Sequence, residues 1–321
     1  MSERDSAPGP GFDLDLDLIA EAARVVDPVF LHSPQYVDEQ LCARLGRRVL
    51  VKVETLNPLR SFKGRGADFL VRGLAPGSTV VCGSSGGNFG QAVAYAAARH
   101  GMRAEVFVPS GASAVKTDRM AALGARVHRV GGAPKAHAQA HAAAGPDRVF
   151  VVDGRDAAVA EGAGTIGVEL LRTGGYDTVV LPVGDGALIT GVARWLKAHA
   201  PGVRIVGAAA AAAPALVRSW REGRVVAVER RNAFAAGISI DAPEPEAVAR
   251  TRALVDDMVL VEDAELLSAM RLAAETLGIL PEPAGVAGLA ALAGGGVPGD
   301  VAATVITGAN ADLGLYASAF S

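Results

Sequence analysis

Along most of the chain, short runs of β-branched residues alternate with longer alanine-rich stretches, and glycine turns separate the two. Residues 78–83 (STVVCG) precede 88–101 (NFGQAVAYAAARHG), and 104–110 (AEVFVPS) precede 114–125 (AVKTDRMAALGA). The alternation continues with 148–154 before 161–175, 177–184 before 187–202, and 204–211 before 213–223. A further run at 47–54 (RRVLVKVE) and a last one at 302–310 (AATVITGAN) bracket the series. Strand, glycine turn and helix repeated at this spacing predict parallel βαβ units, so the expected fold is α/β with mostly parallel twisted sheets flanked by helices. Residues 13–26 read as a short helix and 1–12 as a solvated tail. Gly101, Gly124 and Gly202 follow periodic apolar stretches, where a left-handed glycine is expected to end each helix.

Composition narrows the class without choosing a chemistry. Half of the residues are hydrophobic and the net charge is −3, with no basic block, which argues against a nucleic-acid partner. No apolar run is long enough to span a bilayer, and the acidic N-terminus lacks the basic and apolar regions of a signal peptide. Cys42 and Cys82 stand forty residues apart with no CxxC and no nearby histidine pair, so a reduced cytoplasmic protein is expected.

Three glycine clusters could carry chemistry. The first, Gly83–Gly90 (GSSGGNFG), contains G-x-S-x-G with Ser85 at the nucleophile position. A hydrolase triad needs a late histidine, but 122 residues follow the last one, His199. The second, Gly162–Gly167 (GAGTIG), matches a dinucleotide fingerprint by letter but lies ten residues beyond the nearest strand-like run. It reads as glycines that let a helix start pack closely. The third, Pro182–Gly191 (PVGDGALITG), directly follows a strand-like run and would open a helix from about Leu188, a site shaped for a phosphate.

One residue raises a separate question. The chain has five lysines against twenty-six arginines, yet Lys63 sits in SFKGRGA just after a strand-like run. An amine can lose its proton and act as a nucleophile, which a guanidinium does not do in a protein.

KVETLNPLRSFKGRG (52–66), SGGNFGQ (85–91), PVGDGALITG (182–191), ILPEPAG (279–285) and TGAN (307–310) occur in this order. Together they resemble the fold-type II pyridoxal-phosphate enzymes, nearest the threonine/serine dehydratase and serine racemase branch. The resemblance runs from about Val29 to the C-terminus. It implies that Lys63 forms the Schiff base with pyridoxal 5'-phosphate and acts as the catalytic base. It implies that Gly184, Asp185, Gly186 and Ala187 hold the phosphate, that Asn88 lies near the ring hydroxyl, and that Thr307 faces the pyridine nitrogen. Ser85, Gly86, Gly87, Asn88 and Phe89 would receive the substrate; Glu282 could orient substrate or cofactor, or cap a helix. The implied reaction is β-elimination from a serine- or threonine-like amino acid, with a β-replacement synthase or a catalytically altered cofactor-binding protein as alternatives. The implied architecture is a large domain of residues 1–76 and 153–321, a small mobile domain of 77–152, and a homodimer.

Departures from the family pattern refine these expectations. Asp185 and Ala187 stand where glycine is usual, and a carboxylate beside a phosphate should point outward or meet a cation. Gly86 occupies the place of the second-face hydroxyl of serine racemases, so racemisation is not expected. Phe89 replaces a histidine and should make the pocket more apolar. Residues 206–214 offer no side-chain oxygen, so the divalent cation site of the racemases is not expected there. Ala235 and Ala236 stand before Gly237 where the family usually has an acid. Arg65 is expected to form a structural ion pair, and Lys116 to lie on a solvated helix face.

Overall fold

The structure is a computed structural model that describes residues 13–84, 87–229 and 234–320; Ser85, Gly86 and the tail 1–12 lie outside the described residues. Among the described residues, ten strands follow in chain order: β1 (Gln35–Val37), β2 (Arg48–Val53), β3 (Thr79–Gly83), β4 (Arg103–Pro109), β5 (Arg126–Val130), β6 (Arg148–Phe150), β7 (Thr178–Pro182), β8 (Arg204–Ala210), β9 (Asp257–Val261) and β10 (Val301–Ile306). They form a six-stranded sheet in the order β1-β2-β10-β7-β8-β9 and a four-stranded sheet in the order β5-β4-β3-β6. Every pairing of these strands is parallel except β1 with β2. The α/β expectation is therefore met. The inner strands are mostly buried, and β7 throughout, because helices cover both faces of the sheet.

Three strands were not anticipated, namely β1, β5 and β9, and all three are edge strands. In β5 (RVHRV) polar residues break the apolar run, whereas β9 (DMVLV) is apolar and lies between two helices without a glycine turn to mark it. The helix expected at 13–26 spans Leu16–Val25, and Asp15 caps it by accepting from the Asp17 amide at 2.8 Å. Gly101 (φ 68°) and Gly124 (φ 94°) end their helices in the left-handed region as expected. Gly202 does not adopt positive φ; it lies in the turn that follows helix Ala187–His199. No helix among the described residues is long and apolar enough to cross a membrane.

The six-stranded sheet carries helices Lys63–Arg72, Ala157–Thr173 and Ala187–His199 on one side, and they approach backbone to backbone. A Cβ at Gly191 would stand 1.9 Å from the Ala160 carbonyl oxygen, one at Gly66 2.4 Å from that of Val159, and one at Gly162 2.5 Å from that of Arg65. The GAGTIG glycines thus serve packing, as read from sequence. They do so in the middle of helix Ala157–Thr173 and not at its start, because that helix begins well before the glycines.

Between these helices and β2 lies a buried ionic cluster. Arg65 Nε and Nη2 each donate to Glu54 at 2.8 Å, and its Nη1 and Nη2 donate to Glu169 at 2.7 and 3.0 Å. Lys52 Nζ donates to Glu169 at 2.5 Å. Arg65 and Lys52 are fully buried, so the structural role expected of Arg65 is what the fold shows. Burial alone would raise the Glu169 carboxyl, but the hydrogen bonds and charge of Arg65, followed by Lys52, outweigh it and hold the group at about 2.

Two outcomes follow from this packing. Gly191→Ala should lower stability in urea unfolding by about 3 kcal/mol, since a methyl there meets a carbonyl oxygen, while Gly202→Ala, in open space, should change it by less than about 0.5 kcal/mol. Glu169 is depressed in the folded state, so its contribution is complete above the ordinary 4.5 and is lost as pH falls toward 2. Glu169→Gln should therefore cost about 3 kcal/mol at pH 7 by leaving buried cations underpaired, and the gap to the native protein should narrow in acid unfolding below pH 4.5.

Candidate active site

The turn after β2 delivers Lys63. Asn57 shapes it by accepting from the amides of Leu59 (3.0 Å) and Ser61 (3.4 Å) and donating to the Glu54 carbonyl at 2.9 Å. Arg60 adopts φ 49°, and helix Lys63–Arg72 begins at once, with the Ser61 hydroxyl accepting from the Lys63 amide at 3.3 Å. The Phe62 amide donates to the Thr307 carbonyl at 3.1 Å, which joins this turn to the end of β10. The Lys63 side chain is mostly buried, and its ammonium pairs with the Asp153 carboxylate.

A cavity of about 370 Å³ opens in front of that amine. Of the residues expected in the site, Lys63, Gly87, Asn88, Phe89 and Asp185 line it. Gly184, Gly186, Ala187, Glu282 and Thr307 do not line it: the first three flank Asp185 in the chain, Glu282 bonds to Asn88, and the Thr307 carbonyl accepts from the Phe62 amide beside Lys63.

Helix Asn88–Arg99 is entered through Gly87 at φ 90°. The buried Ser84 hydroxyl accepts from the Gly87 amide (3.2 Å) and the Gly90 amide (3.3 Å), a role that sequence reasoning missed because the neighbouring Ser85 took the attention. Asn88 Nδ2 donates to Glu282 Oε1 at 2.5 Å, and Asn88 Oδ1 accepts from Asn310 Nδ2 at 2.9 Å. Glu282 is thus placed to orient Asn88, and it makes no side-chain capping bond to the helical turn that follows it. Burial raises its pKa, against the Lys116 charge and the Asn88 hydrogen bond. Lys116 is accordingly not a solvated helix-face residue: it is half-buried, and its chain lies over Gly87, where a Cβ would come within 3.1 Å of Lys116 Cδ. Its stem covers the glycine turn, a contact that helical spacing alone cannot reveal.

The third cluster places Gly186 (φ 95°) as the N-cap of helix Ala187–His199, with no side-chain cap. The helix begins one residue earlier than expected. Its first amides are left for an anion, and the positive end of the helix dipole faces the same way. Gly154 lies against this loop, where a Cβ would come within 2.4 Å of the Asp185 carbonyl oxygen. Asp185 does not point outward; it is half-buried in the cavity wall. Burial and then the Asp153 charge push its pKa to about 6, while Lys135 and Lys63 pull it down. The cations expected of such a carboxylate are therefore present.

Asp153, Lys135 and Glu244 were not anticipated from sequence. Lys135 reaches the cavity from helix Pro134–Ala143 and pairs with Glu244 at 2.7 Å. Their only sequence signal was position: Asp153 follows a strand-like run, as catalytic loops do in parallel sheets. Ala236 lines the cavity where the family usually has an acid, and the Phe89 ring is buried in its wall.

A phosphorylated aldehyde fits this chemistry. A lysine amine is available in an enclosed space, an uncapped helix start can hold a phosphate, and Asp153 Oδ1 is buried without a hydrogen-bond partner. Asn88 supplies an amide beside the amine.

Comparison with known proteins agrees. Residues 35–308 match the family model described as pyridoxal-phosphate dependent enzyme. The chain is 32% identical to the L-threonine ammonia-lyase of Thermotoga maritima, over 94% of this chain and 77% of that enzyme. It is 29% identical to a serine racemase of Arabidopsis thaliana, over 95% of this chain and 96% of that one. It spans only 55% of the biosynthetic L-threonine dehydratase of Pasteurella multocida, with 30% identity. Among solved structures, maize serine racemase superimposes with a TM-score of 0.89 at 27% identity, covering 96% of this chain and 98% of that one. A T.th. threonine deaminase superimposes with a TM-score of 0.85 at 31% identity, covering 93% of this chain and 99% of that one. With the lysine, the uncapped phosphate loop and the fold in agreement, the chain belongs to the pyridoxal-phosphate-dependent enzymes of fold type II, among relatives that include threonine dehydratases and serine racemases.

Proposed function

We propose that this protein is a lyase that eliminates the β-substituent of a serine- or threonine-like amino acid. The observation that carries the reading is the Lys63 amine, held by Asp153 in an enclosed cavity between the Asn88 turn and the Gly186 helix start. When bound, pyridoxal phosphate supplies an electron sink that acidifies the α-hydrogen of an amino acid. Gly184, Gly186 and Ala187 would hold its phosphate through backbone amides, and Thr307 would face its ring nitrogen. Lys63 would then take the α-proton at Nζ, the Asp153 carboxylate would hold the ammonium so formed, and a hydroxide leaving the β-carbon would take up a proton and depart as water. The turn ending in Gly87 and Asn88 orients the substrate carboxylate at a helix start, and Glu282 holds the Asn88 amide in place. Phe89 excludes water beside the β-carbon. Gly86 at the second-face position supplies no hydroxyl, which supports elimination over racemisation.

Residues 77–152 are proposed to form a smaller domain that closes on the substrate, with 1–76 and 153–321 as the larger one. The four-stranded sheet and the bridges that link it to the rest support this division. Lys135 reaches Glu244, Ser113 Oγ reaches Asp312 at 3.0 Å, and Arg119 Nη1 reaches Asn310 at 2.6 Å. Closure at these polar contacts would shut out water.

The test is a screen of amino acids against the purified yellow protein, with 2-oxo acid and ammonia as products. Lys63→Ala should abolish the protein-bound absorbance and slow turnover by about 10³-fold, within the usual range for a lost general base. A native protein that takes up no cofactor would refute the reading, and product that appears only when a thiol or amine is added to serine would assign β-replacement instead. A second outcome concerns Asp185, which gains its negative charge as pH rises through about 6. That charge opposes a phosphate, so Asp185→Asn should bind pyridoxal phosphate roughly ten-fold more tightly at pH 7.5, with the advantage shrinking below pH 6, as read by equilibrium fluorescence titration.

A further inference from the structure

Far from the cavity, three side chains of the four-stranded sheet and its helix converge. Glu105 on β4, His128 on β5 and His141 on helix Pro134–Ala143 place one ligand atom each within 4.8 Å of the others. Glu105 Oε2 lies 2.6 Å from His128 Nε2 and 3.2 Å from His141 Nε2. Glu105 and Phe107 share a face of β4, and Phe107 pairs in register with His128, so the three project to the side that the helix covers. The Phe107 ring stacks on His128 at 4.4 Å and contacts His141 at 5.2 Å, which holds both imidazoles toward the carboxylate.

Two features distinguish this cluster from a simple hydrogen-bonded group. His141 Nε2 is buried and makes no hydrogen bond of acceptable geometry, although it lies close to the carboxylate. Among the described residues, moreover, Glu105 has no lysine or arginine ion-pair partner. One oxygen and two imidazole nitrogens are left facing a common point that carries a negative charge. The imidazoles remain about a quarter exposed, at 23% and 26%, so an ion and a completing water can enter.

We propose that Glu105, His128 and His141 form a divalent cation site, with zinc as its metal. Two imidazoles and a carboxylate suit zinc among the divalent ions, and a water would take the fourth position. Ligands bonded at about 2.0–2.1 Å in a tetrahedron stand about 3.3 Å apart, so the Glu105–His141 spacing of 3.2 Å already suits the ion, Glu105 would draw back from His128, and the two imidazole nitrogens, within 4.8 Å of each other, would settle to that spacing. The site is structural, with no bond made or broken. It fastens the edge strand β5 and the helix Pro134–Ala143 to β4, and that helix is the one that carries Lys135 to the active cavity. The stretch 206–214, which the family resemblance sets against the racemases' cation site, belongs to the other sheet and is unrelated. The ligands lie 23 and 13 residues apart, a spacing that matches no compact zinc motif, so the sequence does not announce them.

The experiment uses the intact holoenzyme, stripped with a chelator, dialysed, and titrated with zinc against a chromophoric competitor. One saturable site per chain is expected, with a melting temperature that rises as zinc is added. His141→Asn and Glu105→Gln should each weaken that site by more than about ten-fold, the loss that partners outside the ligand set can already cause. Their bound-cofactor absorbance should be unchanged, which shows that they are folded. Should a variant misfold, cobalt added to the stripped native protein provides the second reading, with visible bands of a nitrogen-ligated, low-symmetry ion. Absence of a saturable zinc site in the native protein, a zinc affinity equal in native and variant proteins, or a cobalt spectrum of the hydrated ion would each overturn the proposal.

Discussion

Close approach of three helix backbones is the constraint on which the rest of this molecule depends. Helices Lys63–Arg72, Ala157–Thr173 and Ala187–His199 meet where only glycine leaves room, at Gly66, Gly162 and Gly191. One of those helices starts at the lysine and another at the uncapped anion loop. The separation of the Lys63 amine and the uncapped start of helix Ala187–His199 is therefore set by carbonyl oxygens in contact with Cα atoms, a rigid gauge. Longer side chains at the same crossings would move the two chemical groups apart before they disturbed either sheet.

The same helix that presents Lys63 also carries Arg65, two residues on and fully buried. Its bidentate hold on Glu54 and Glu169 ties the start of the helix to β2 and to helix Ala157–Thr173. A guanidinium suits that position because its planar fork can serve two carboxylates at once. An amine suits position 63 because it can give up its proton. The two basic residues of one short motif thus divide: Arg65 is the anchor, paired on both sides with carboxylates, and Lys63 faces the cavity.

The cavity is unusual for its acids. Asp153, Asp185 and Glu244 face two lysines across it, and Asp185 titrates near neutrality because burial and Asp153 act on it together. The electrostatic balance is met from the four-stranded sheet's helix through Lys135, so the position of that helix bears on the charge of the site. An anchoring ion between β4, β5 and that helix would act on the chemistry through this link.

The α/β class, the parallel inner strands, the glycine turn before helix Ala187–His199 and the structural role of Arg65 were legible in the sequence, because each is written in neighbouring residues. Apolar runs mark buried strands, and a glycine after such a run marks a turn. The edge strands β1 and β5 were not legible because polar residues interrupt them, and β9, although apolar (DMVLV), was missed because no glycine turn marks it off from the helices on either side. Nor could the sequence show that Lys116 covers Gly87, that the Ser84 hydroxyl holds the Gly87 and Gly90 amides, or that Asp153 pairs with Lys63 across ninety residues. The local pattern by itself determined most of the elements and set Lys63 at the start of a helix, since backbone preference and hydrophobic period act over a few residues. Only the tertiary structure decided which acids and cations surround that amine, because their charges meet through space and not along the chain.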